Sequence, residues 1–316
     1  MSDGSRVGTD WKLRFRAWWE GYELSPKAAA EPAGPAETDA AAGPADTVPA
    51  GNRSRFGKPL WTATRIDVAE KIWGSGFATP GGDDFIPYLV KPLGLNPAMS
   101  VLDMSAGLGG AARKMASTYK CWVTGLEASP VLAAAAMERS TKAGLAKQAS
   151  VSHYDPENFH HPKRFDCILA KEFFTFVANR EGLTDAMEVC LKPRGQLLFT
   201  DYVYEGTGIP GRALRAWLDN EPVEPRLLPL PDVVASLQQR NLDIRITEDI
   251  TDTHRSLIIQ AIQMLTGFLE KHSMTAETKL AVIDEVELWA RRVAAMEEGL
   301  RCYRFFALKP NDGTEL

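Results

Sequence analysis

The stretch VLDMSAGLGG, residues 101–110, and the stretch VTGLEASP, residues 123–130, decide the fold predicted for this chain. One apolar run ends at Asp103 and meets a glycine-rich turn, and a second apolar run ends at Glu127. Taken as strand, loop, helix and strand, these residues predict a βαβ unit whose two strands each end in a carboxylate. Small loop residues let a ligand approach the backbone, and the second carboxylate can bind both ribose hydroxyls. The pattern therefore predicts a site for the adenosine of a nucleotide-like cofactor.

The charge beside the loop distinguishes two adenosine cofactors. A GxGxxG loop holds a pyrophosphate at a helix N-terminus, and the equivalent positions in this chain are Ser105, Gly107 and Gly110. Asp103 precedes this loop closely, and its charge would repel a pyrophosphate but attract an ammonium or a sulfonium. The sequence therefore favours S-adenosylmethionine, and an NAD-dependent oxidoreductase is the weaker hypothesis.

The motifs extend beyond this unit. LDMSAGLGG resembles the first motif of the class I S-adenosylmethionine-dependent methyltransferases, with Ser105 where a glycine is usual. LKPRGQLLFTDY, residues 191–202, is similar to their fifth strand, with LKPRG as the turn that leads into it. The likeness runs from about residue 73 to residue 309. It implies an α/β fold with a doubly wound, seven-stranded Rossmann-like sheet. It also implies that S-adenosyl-L-methionine is bound by Asp103, Ser105, Gly107, Glu127, Ala128, Asp155, Lys171 and Gly81.

Within that family the chain looks most like the phosphoethanolamine and related small-amine methyltransferases. The segments that carry this likeness are WGSGFATPGG, LLFTDY and CYRFFALKP, at residues 73–82, 197–202 and 302–310. The tyrosine–histidine pair of those enzymes aligns with Phe77 and Phe176 in this chain, so the resemblance implies a small acceptor without implying the same one.

An acceptor pocket is expected beyond the fourth and fifth strands. Methyl transfer needs an aligned nucleophile, and an amine must also lose a proton. Aromatic faces stabilise a desolvated cationic amine by about 1–2 kcal/mol, although the phenylalanines after the fourth strand are equally consistent with helix packing. The expected substrate-binding residues are Phe77, Phe173, Phe176, Asp201 and Tyr202. The candidate catalytic residues are Glu172, Tyr202 and His161.

Composition predicts four regions, the first two of which form an N-terminal tail. Residues 10–24 place five aromatic side chains on one helical face, which would pack on the chain's own domain, dock into a partner protein or lie on a membrane surface. An alternative function is a non-catalytic assembly or regulatory module that acts through this helix. The predicted regions are an aromatic amphipathic helix at 1–27, a disordered Ala/Pro-rich linker at 28–55, a helical cap at 56–98, and a methyltransferase domain at 99–316 with a helical insertion at 251–299.

The overall composition restricts the classes of partner. The chain has 316 residues, 45% hydrophobic and 24% charged, which is typical of a globular protein. Its net charge of −5 argues against a nucleic-acid partner. Its four cysteines and five histidines lack metal-ligand spacing, so we expect no metal and reduced thiols in the cytoplasm. The insertion's apolar stripes predict a packed helix pair, a lid or a dimer surface, which leaves a monomer or a homodimer open.

Overall fold

The computed structural model describes residues 48–49, 51–206, 208–269 and 274–311. They belong to a unit that spans Val48–Leu316. The predicted helix at 1–27 and most of the linker at 28–55 lie outside the described residues. Residues 51–55, which composition assigns to the linker, are hydrogen-bonded within the unit, because the Asn52 side chain binds both the N–H and the carbonyl of Trp61.

One seven-stranded sheet forms the centre of the unit, in the order β3-β2-β1-β4-β5-β7-β6. Strands β1 to β5 are parallel, and β7 is antiparallel to both β5 and β6. The strands are β1 (Ser100–Asp103), β2 (Trp122–Glu127), β3 (Ala149–His153), β4 (Phe165–Lys171), β5 (Leu191–Tyr204), β6 (Asp243–Asp249) and β7 (Leu300–Leu308). This confirms the predicted sheet and places its switch point between β1 and β4, where ligands of such sheets bind.

Helices connect the strands as the alternating pattern predicts. In the part of the chain that the structure describes, α3 follows β1, α4 follows β2 and α5 follows β4. The helices are α1 (Ala63–Trp73), α2 (Gly82–Val90), α3 (Gly110–Tyr119), α4 (Pro130–Lys142), α5 (Arg180–Cys190), α6 (Arg212–Asn220), α7 (Leu230–Gln239), α8 (Thr251–Leu269) and α9 (Ala276–Met296). Ser129 caps α4 by accepting a hydrogen bond from the N–H of Leu132, and Pro130 occupies its first turn.

Two elements differ from the sequence prediction. Strand β5 begins at Leu191, inside the LKPRG run that predicts a turn, and Arg194 within it has a φ of 61°. The pairing with β4 shifts register between Phe165 and Cys167, which absorbs this irregular start. Helix α6 is missed by the sequence analysis, although it buries Leu214 and Trp217.

The core is apolar on both faces of the sheet. Ile168 of β4, Leu197 of β5 and Phe305 of β7 are almost fully buried and belong to one cluster. Met187 of α5 and Leu237 of α7 pack into the same cluster. All four cysteines are free and buried, as expected of thiols that act only as small apolar groups.

The insertion folds as helices α8 and α9 between β6 and β7. Helix α9 packs against α1 and α6. Trp289 of α9 contacts Trp73 of α1 edge to ring, with centroids 4.8 Å apart. Glu285 of α9 accepts hydrogen bonds from the indole of Trp289 and from Arg65 of α1. The insertion is therefore joined to the cap segment that contains α1 and α2.

Neither a membrane-spanning helix nor a cluster of metal ligands is present among the described residues. None of their helices is long and apolar enough to cross a bilayer. Among the same residues, no three His, Cys, Asp or Glu side chains come together as metal ligands would.

The cap is joined to the glycine loop through backbone atoms. The N–H of Gly110 donates to the carbonyl of Gly76 at 2.9 Å. A Cβ on Gly110 would lie 2.5 Å from that carbonyl oxygen and 2.6 Å from the ring of Phe77. Only glycine permits this approach, so the glycine at position 110 sets the distance between the cap and the sheet.

We predict that Gly110→Ala loosens the cap. The added methyl group must displace the Gly76 carbonyl, at a cost of about 1–3 kcal/mol. Hydrogen exchange should accelerate at residues 74–79, and chemical denaturation should show the loss of stability. Gly144→Ala is the control, because Gly144 has a φ of 71° and an open environment; it should lower stability without changing exchange in the cap. Equal exchange at residues 74–79 in wild type and Gly110→Ala would contradict the cap contact.

Candidate active site

A pocket opens at the C-terminal ends of β1, β2 and β4, and we call it the strand-end pocket. It contains about 890 Å³ of space between atoms, open solvent included. Its walls come from the loops after the strands, the cap and the insertion. The lining residues are Trp61, Gly76, Phe77, Ala78, Thr79, Ser105, Ala106, Gly107, Leu108, Gly110, Ala111, Glu127, Leu132, Lys171, Glu172, Phe173, Phe176 and Arg292.

The glycine loop after β1 forms one wall of this pocket. Gly107 and Gly109 have φ values of 56° and 78°, which glycine adopts without strain. Ser105, the residue that replaces the usual glycine, accepts a hydrogen bond through its hydroxyl from the N–H of Lys171 at 2.6 Å. This serine therefore connects the loop after β1 to the end of β4.

Asp103 lies beneath the loop and is fully buried. Its Oδ1 accepts a 3.3 Å hydrogen bond from the N–H of Ser105, and its Oδ2 is buried without a hydrogen-bond partner. Burial raises the pKa of Asp103 to about 6, and the charge of Lys171 opposes part of this rise. An unpartnered buried carboxylate oxygen is costly, so a cationic group of a ligand would stabilise it.

Glu127 ends β2 and lines the pocket. Its Oε2 accepts from the N–H of Gly107 at 2.7 Å, and its Oε1 accepts from the N–H of Ser129 at 2.9 Å. Burial raises the pKa of Glu127 to about 7; the two N–H donors oppose the rise and the Asp103 charge adds to it. Asp103 and Glu127 thus form a pair of acids, one buried and one partly buried, beside the glycine loop.

Four of the predicted cofactor-binding residues do not line the pocket. Asp103 is one of them, because it is buried beneath the lining residue Ser105. Asp155 is exposed and caps the short 3-10 helix Pro156–Asn158, with its carboxylate accepting from the N–H of Glu157 and the amide of Asn158. Gly81 has a φ of 103° and packs against Phe85, so it serves the turn that starts α2. Ala128 also lies outside the lining residues.

The far end of the pocket follows β4. Lys171 and Glu172 line it together with Phe77, Phe173 and Phe176. The Lys171 ammonium donates to the Thr79 hydroxyl at 3.3 Å, and burial lowers the pKa of Lys171. The predicted aromatic residues are therefore brought together with one cation and one carboxylate.

Glu172 is held in an unusual backbone conformation. Its φ is 49°, in the left-handed region that a glutamate rarely adopts. Its N–H donates to the carbonyl of Thr200 on β5 at 2.7 Å, and its Oε2 accepts from the hydroxyl of Tyr202 at 2.8 Å. Such strain persists only where surrounding contacts impose it, and it is common at functional sites. Glu172 is therefore fixed by β5 so that it faces the pocket.

Two predicted residues lie elsewhere. Asp201 and Tyr202 are neighbours on β5, so their side chains point to opposite faces of the sheet; Asp201 faces a separate small cavity beside Arg180 and is not in the pocket. His161 is near Phe165, the first residue of β4, whereas the pocket is at the last residue. The structure therefore places neither Asp201, predicted as a substrate ligand, nor His161, predicted as a base, in the pocket.

The sequence analysis missed the residues that the insertion contributes. His254 of α8 lies 2.9 Å from the Tyr202 hydroxyl, and Arg292 of α9 lines the pocket 3.9 Å from Glu172. Arg292 forms a buried pair with Glu221, at 2.5 Å and 3.2 Å. The sequence did contain one signal for this pair. Arg292 lies on the largely apolar stripe of α9, and a charge on such a stripe needs a buried partner.

The Arg292–Glu221 pair sets the electrostatics at the β4 end of the pocket. Burial disfavours the charged guanidinium, but the charge and hydrogen bond of Glu221, together with Tyr202 and the charge of Glu172, outweigh burial and raise the pKa of Arg292. The guanidinium also lies over the rings of Trp289, Phe176 and Tyr202, at 4.3, 5.7 and 5.8 Å from their centroids. Arg292 is thus a fixed positive charge that is already neutralised.

Residues 101–195 match a family model described as a methyltransferase domain. The chain carries a class I S-adenosylmethionine-dependent methyltransferase domain. This confirms the predicted family. The cofactor of such domains is S-adenosylmethionine, which is the cofactor that the sequence favours. The match covers the glycine loop, β1 to β4 and the start of β5.

Curated relatives extend the similarity beyond this domain. Phosphoethanolamine N-methyltransferase 1 of Zea mays is 27% identical over 201 residues, which cover 63% of this chain and 39% of the relative. Phosphoethanolamine N-methyltransferase 2 of Caenorhabditis elegans is 31% identical over 157 residues, or 48% and 35% of the two chains. The chain thus spans less than half the length of either relative.

A solved structure has the same fold. Phosphoethanolamine N-methyltransferase 2 of Haemonchus contortus, in complex with phosphomonomethylethanolamine and S-adenosylhomocysteine, matches with a TM-score of 0.70 at 24% identity. The match covers 80% of this chain and 59% of that one. It supports the methyltransferase fold that the sheet order shows.

We predict that Asp201→Asn changes the pH dependence of stability. Burial raises the pKa of Asp201 to about 7, above the usual value near 3.9 of an unfolded chain. The folded state then binds more protons between these values, so the free energy of unfolding falls as pH rises from about 4 to 7. Asparagine does not titrate, so thermal melts should show the variant gaining stability relative to wild type from pH 5 to pH 8.

The exposed Asp219 provides the matched control. Asp219→Asn should leave the difference from wild type constant across the same pH range. A constant difference for Asp201→Asn as well would refute the raised pKa of that carboxyl.

Proposed function

We propose that this chain transfers a methyl group from S-adenosyl-L-methionine to the nitrogen of a small amine. The observation that carries the proposal is the strand-end pocket itself. At one end it has a glycine loop with a buried, unpartnered carboxylate beneath it, and at the other a fixed carboxylate among aromatic rings. One end suits a cationic adenosyl donor and the other a cationic acceptor.

The residues at the first end fit S-adenosyl-L-methionine. This cofactor supplies a methyl group already activated by a positive sulfonium. Ser105 and Gly107 would border it, Glu127 would face its ribose, and Asp103 would compensate its positive charge. Lys171 lines the same pocket and would balance a carboxylate. Asp155, Gly81 and Ala128 are left out of this proposal because they do not line the pocket. Asp103 does not line it either, but it is kept because its unpartnered oxygen is buried directly beneath the lining residue Ser105.

The residues at the second end fit an amine. Phe77, Phe173 and Phe176 would contact a cationic nitrogen through their ring faces. Glu172 would pair with the ammonium form and accept its proton, which frees the lone pair for attack. The chain's part in the reaction is thus to align the nitrogen, exclude water behind the cap and hold the released proton.

The named activities of the relatives support an amine acceptor. The maize and nematode relatives are phosphoethanolamine N-methyltransferases, and a glycine/sarcosine/dimethylglycine N-methyltransferase of Actinopolyspora halophila is 33% identical over 108 residues. Both names describe methylation of an amino nitrogen. A lipid-linked acceptor and a non-catalytic assembly module receive no support from the described residues. The cytoplasmic location, the monomeric or dimeric state and the partner of residues 10–24 stay predictions.

We predict that binding of S-adenosylmethionine strengthens as pH rises from 5 to 8. A cationic ligand binds the ionised forms of Asp103 and Glu127, whose pKa values are about 6 and 7, so protons compete with it at low pH. Since each pKa unit corresponds to a tenfold change, calorimetry should show a rise of about tenfold or more. S-adenosylhomocysteine lacks the sulfonium, and its affinity should change less.

Amide variants identify the carboxylates responsible. Asp103→Asn and Glu127→Gln should each weaken binding of S-adenosylmethionine by about 30-fold, as expected for losing a charged hydrogen bond worth roughly 2 kcal/mol. Asp155→Asn changes an exposed carboxylate at the end of β3 and should bind as wild type does. NADH binding in place of S-adenosylmethionine, or equal affinity in all three variants, would refute the cofactor site.

We predict that labelled methyl groups are transferred to amines. A panel of ethanolamine, phosphoethanolamine, glycine and aromatic amines should give an N-methyl product identified by mass spectrometry. Glu172→Gln should lower kcat by about 100-fold, as for loss of a general base, with unchanged affinity for S-adenosylmethionine. Glu138→Gln changes an exposed carboxylate of α4 that pairs with Lys142 and does not line the pocket, so it should retain turnover. A product methylated only on oxygen or carbon would contradict the amine acceptor.

A further inference from the structure

Three buried polar groups meet behind the acceptor end of the pocket. The Tyr202 hydroxyl lies 2.8 Å from Oε2 of Glu172 and 2.9 Å from Nε2 of His254. Tyr202 and His254 are 1% and 4% exposed, so water does not compete for these contacts. The three side chains come from β5, the end of β4 and the start of α8, which makes the contact a junction between the sheet and the insertion.

We propose that His254 and Tyr202 are positioning residues that hold the carboxylate of Glu172 oriented toward the amine. This inference rests on the proposed function. His254 would donate its Nε2 proton to the Tyr202 oxygen, and Tyr202 would donate its own proton to Glu172. The two hydrogen bonds therefore run in one direction, from the imidazole through the phenol to the carboxylate.

Donor counting fixes that direction. A phenol has one proton, and an ionised carboxylate can only accept. When Glu172 is ionised, the Tyr202 proton must point toward it, and the contact with His254 can then form only if Nε2 carries a proton. Burial lowers the pKa of His254, although the Glu172 charge opposes this, so the imidazole is neutral and Nδ1 carries no proton. Burial also raises the pKa of Tyr202 well above 10, so the phenol stays protonated and does not act as a base.

The surrounding charges are consistent with this arrangement. Arg292 faces Glu172 but forms its ion pair with Glu221. Its charge therefore acts on Glu172 through space, without a direct hydrogen bond. The donor that touches the carboxylate is Tyr202. The titratable and charged groups around Glu172 and His254 are Tyr202 on β5, Arg292 on α9, Cys302 on β7 and Lys171 on β4.

The chain also compensates for the absent tyrosine–histidine pair. Phe77 and Phe176 occupy the aligned positions in this chain, and neither can hold a proton. Tyr202 and His254 supply a phenol and an imidazole from different elements, with the pair placed behind Glu172 and outside the pocket lining. Their role is thus exerted through the carboxylate and not by contact with the acceptor.

The decisive test compares two replacements of His254 in the full chain. His254→Gln can keep an amide N–H near the position of Nε2, whereas His254→Leu cannot donate. We expect His254→Gln to retain kcat within about threefold and His254→Leu to lose about tenfold, with S-adenosylmethionine affinity unchanged in both. His160→Gln alters an exposed loop histidine and is the control. Loss of activity in His254→Gln equal to that in His254→Leu would overturn the donor role.

The pH profile separates positioning from simple packing. Tyr202→Phe removes the donor but keeps the ring, and losing a donor favours protonation of a carboxylate. The acidic limb of kcat/KM should therefore move to higher pH in Tyr202→Phe and His254→Leu, and stay in place in His254→Gln. Variants that lose stability without moving this limb would overturn the proposal.

A readout independent of turnover tests the hydrogen bonds themselves. The ¹⁵N chemical shifts of His254 in the full-length protein should show a protonated Nε2 and an unprotonated Nδ1 at pH 7. Tyr202→Phe should remove the acceptor of that proton and shift the Nε2 resonance, while the spectrum of His160 stays unchanged. An unprotonated Nε2 would overturn the proposed direction even if the amine acceptor is correct; failure of methyl transfer with a protonated Nε2 would count against the proposed function alone.

Discussion

Two acids without ion-pair partners, one buried and one partly buried, are the constraint on which the pocket depends. Asp103 and Glu127 end neighbouring strands, and no ion pair to either is present among the described residues. Glu127 is held by two backbone N–H groups, whereas one oxygen of Asp103 has no donor. The fold therefore carries an electrostatic cost that a cationic ligand would relieve, and protonation is the alternative way to relieve it. This makes cofactor binding and proton binding competing processes at the same two side chains.

The acceptor end differs, because one of its cations already has an acidic partner. Glu221 neutralises Arg292, and the neutral hydroxyl of Thr79 accepts a hydrogen bond from the ammonium of Lys171. Glu172 is the group whose backbone is strained and whose side chain lines the pocket. Since Arg292 is neutralised in this way, the carboxylate keeps its capacity to attract a cation. An amine fits this balance better than a second anion would.

Local pattern predicted the sheet well because each strand and its crossover helix are encoded by adjacent residues. The runs before Asp103 and Glu127 and the helix between them required no distant information, and the same holds for the cofactor end of the pocket. The start of β5 was harder, since its pairing through LKPRG depends on a register shift in β4. Asp201 was misplaced because the end of a strand identifies an edge of the sheet, whereas the face depends on the alternation of side chains. Asp155 was misplaced because its carboxylate is used by a local cap.

The acceptor end could not be assembled from sequence because its parts come from segments far apart in the chain. Tyr202 and His254 are separated by 52 residues, and Arg292 and Glu221 by 71. Nothing in the residues around His254 identifies a partner, and a single histidine at a helix start is ordinary. Arg292 is different, since it and Glu285 interrupt the buried stripe of α9, and burying a charge is costly unless a partner is present. Such interruptions predict that a partner exists without saying which one. The fold supplies that answer by placing α9 against α1 and α6, so the insertion that closes the sheet also completes the pocket.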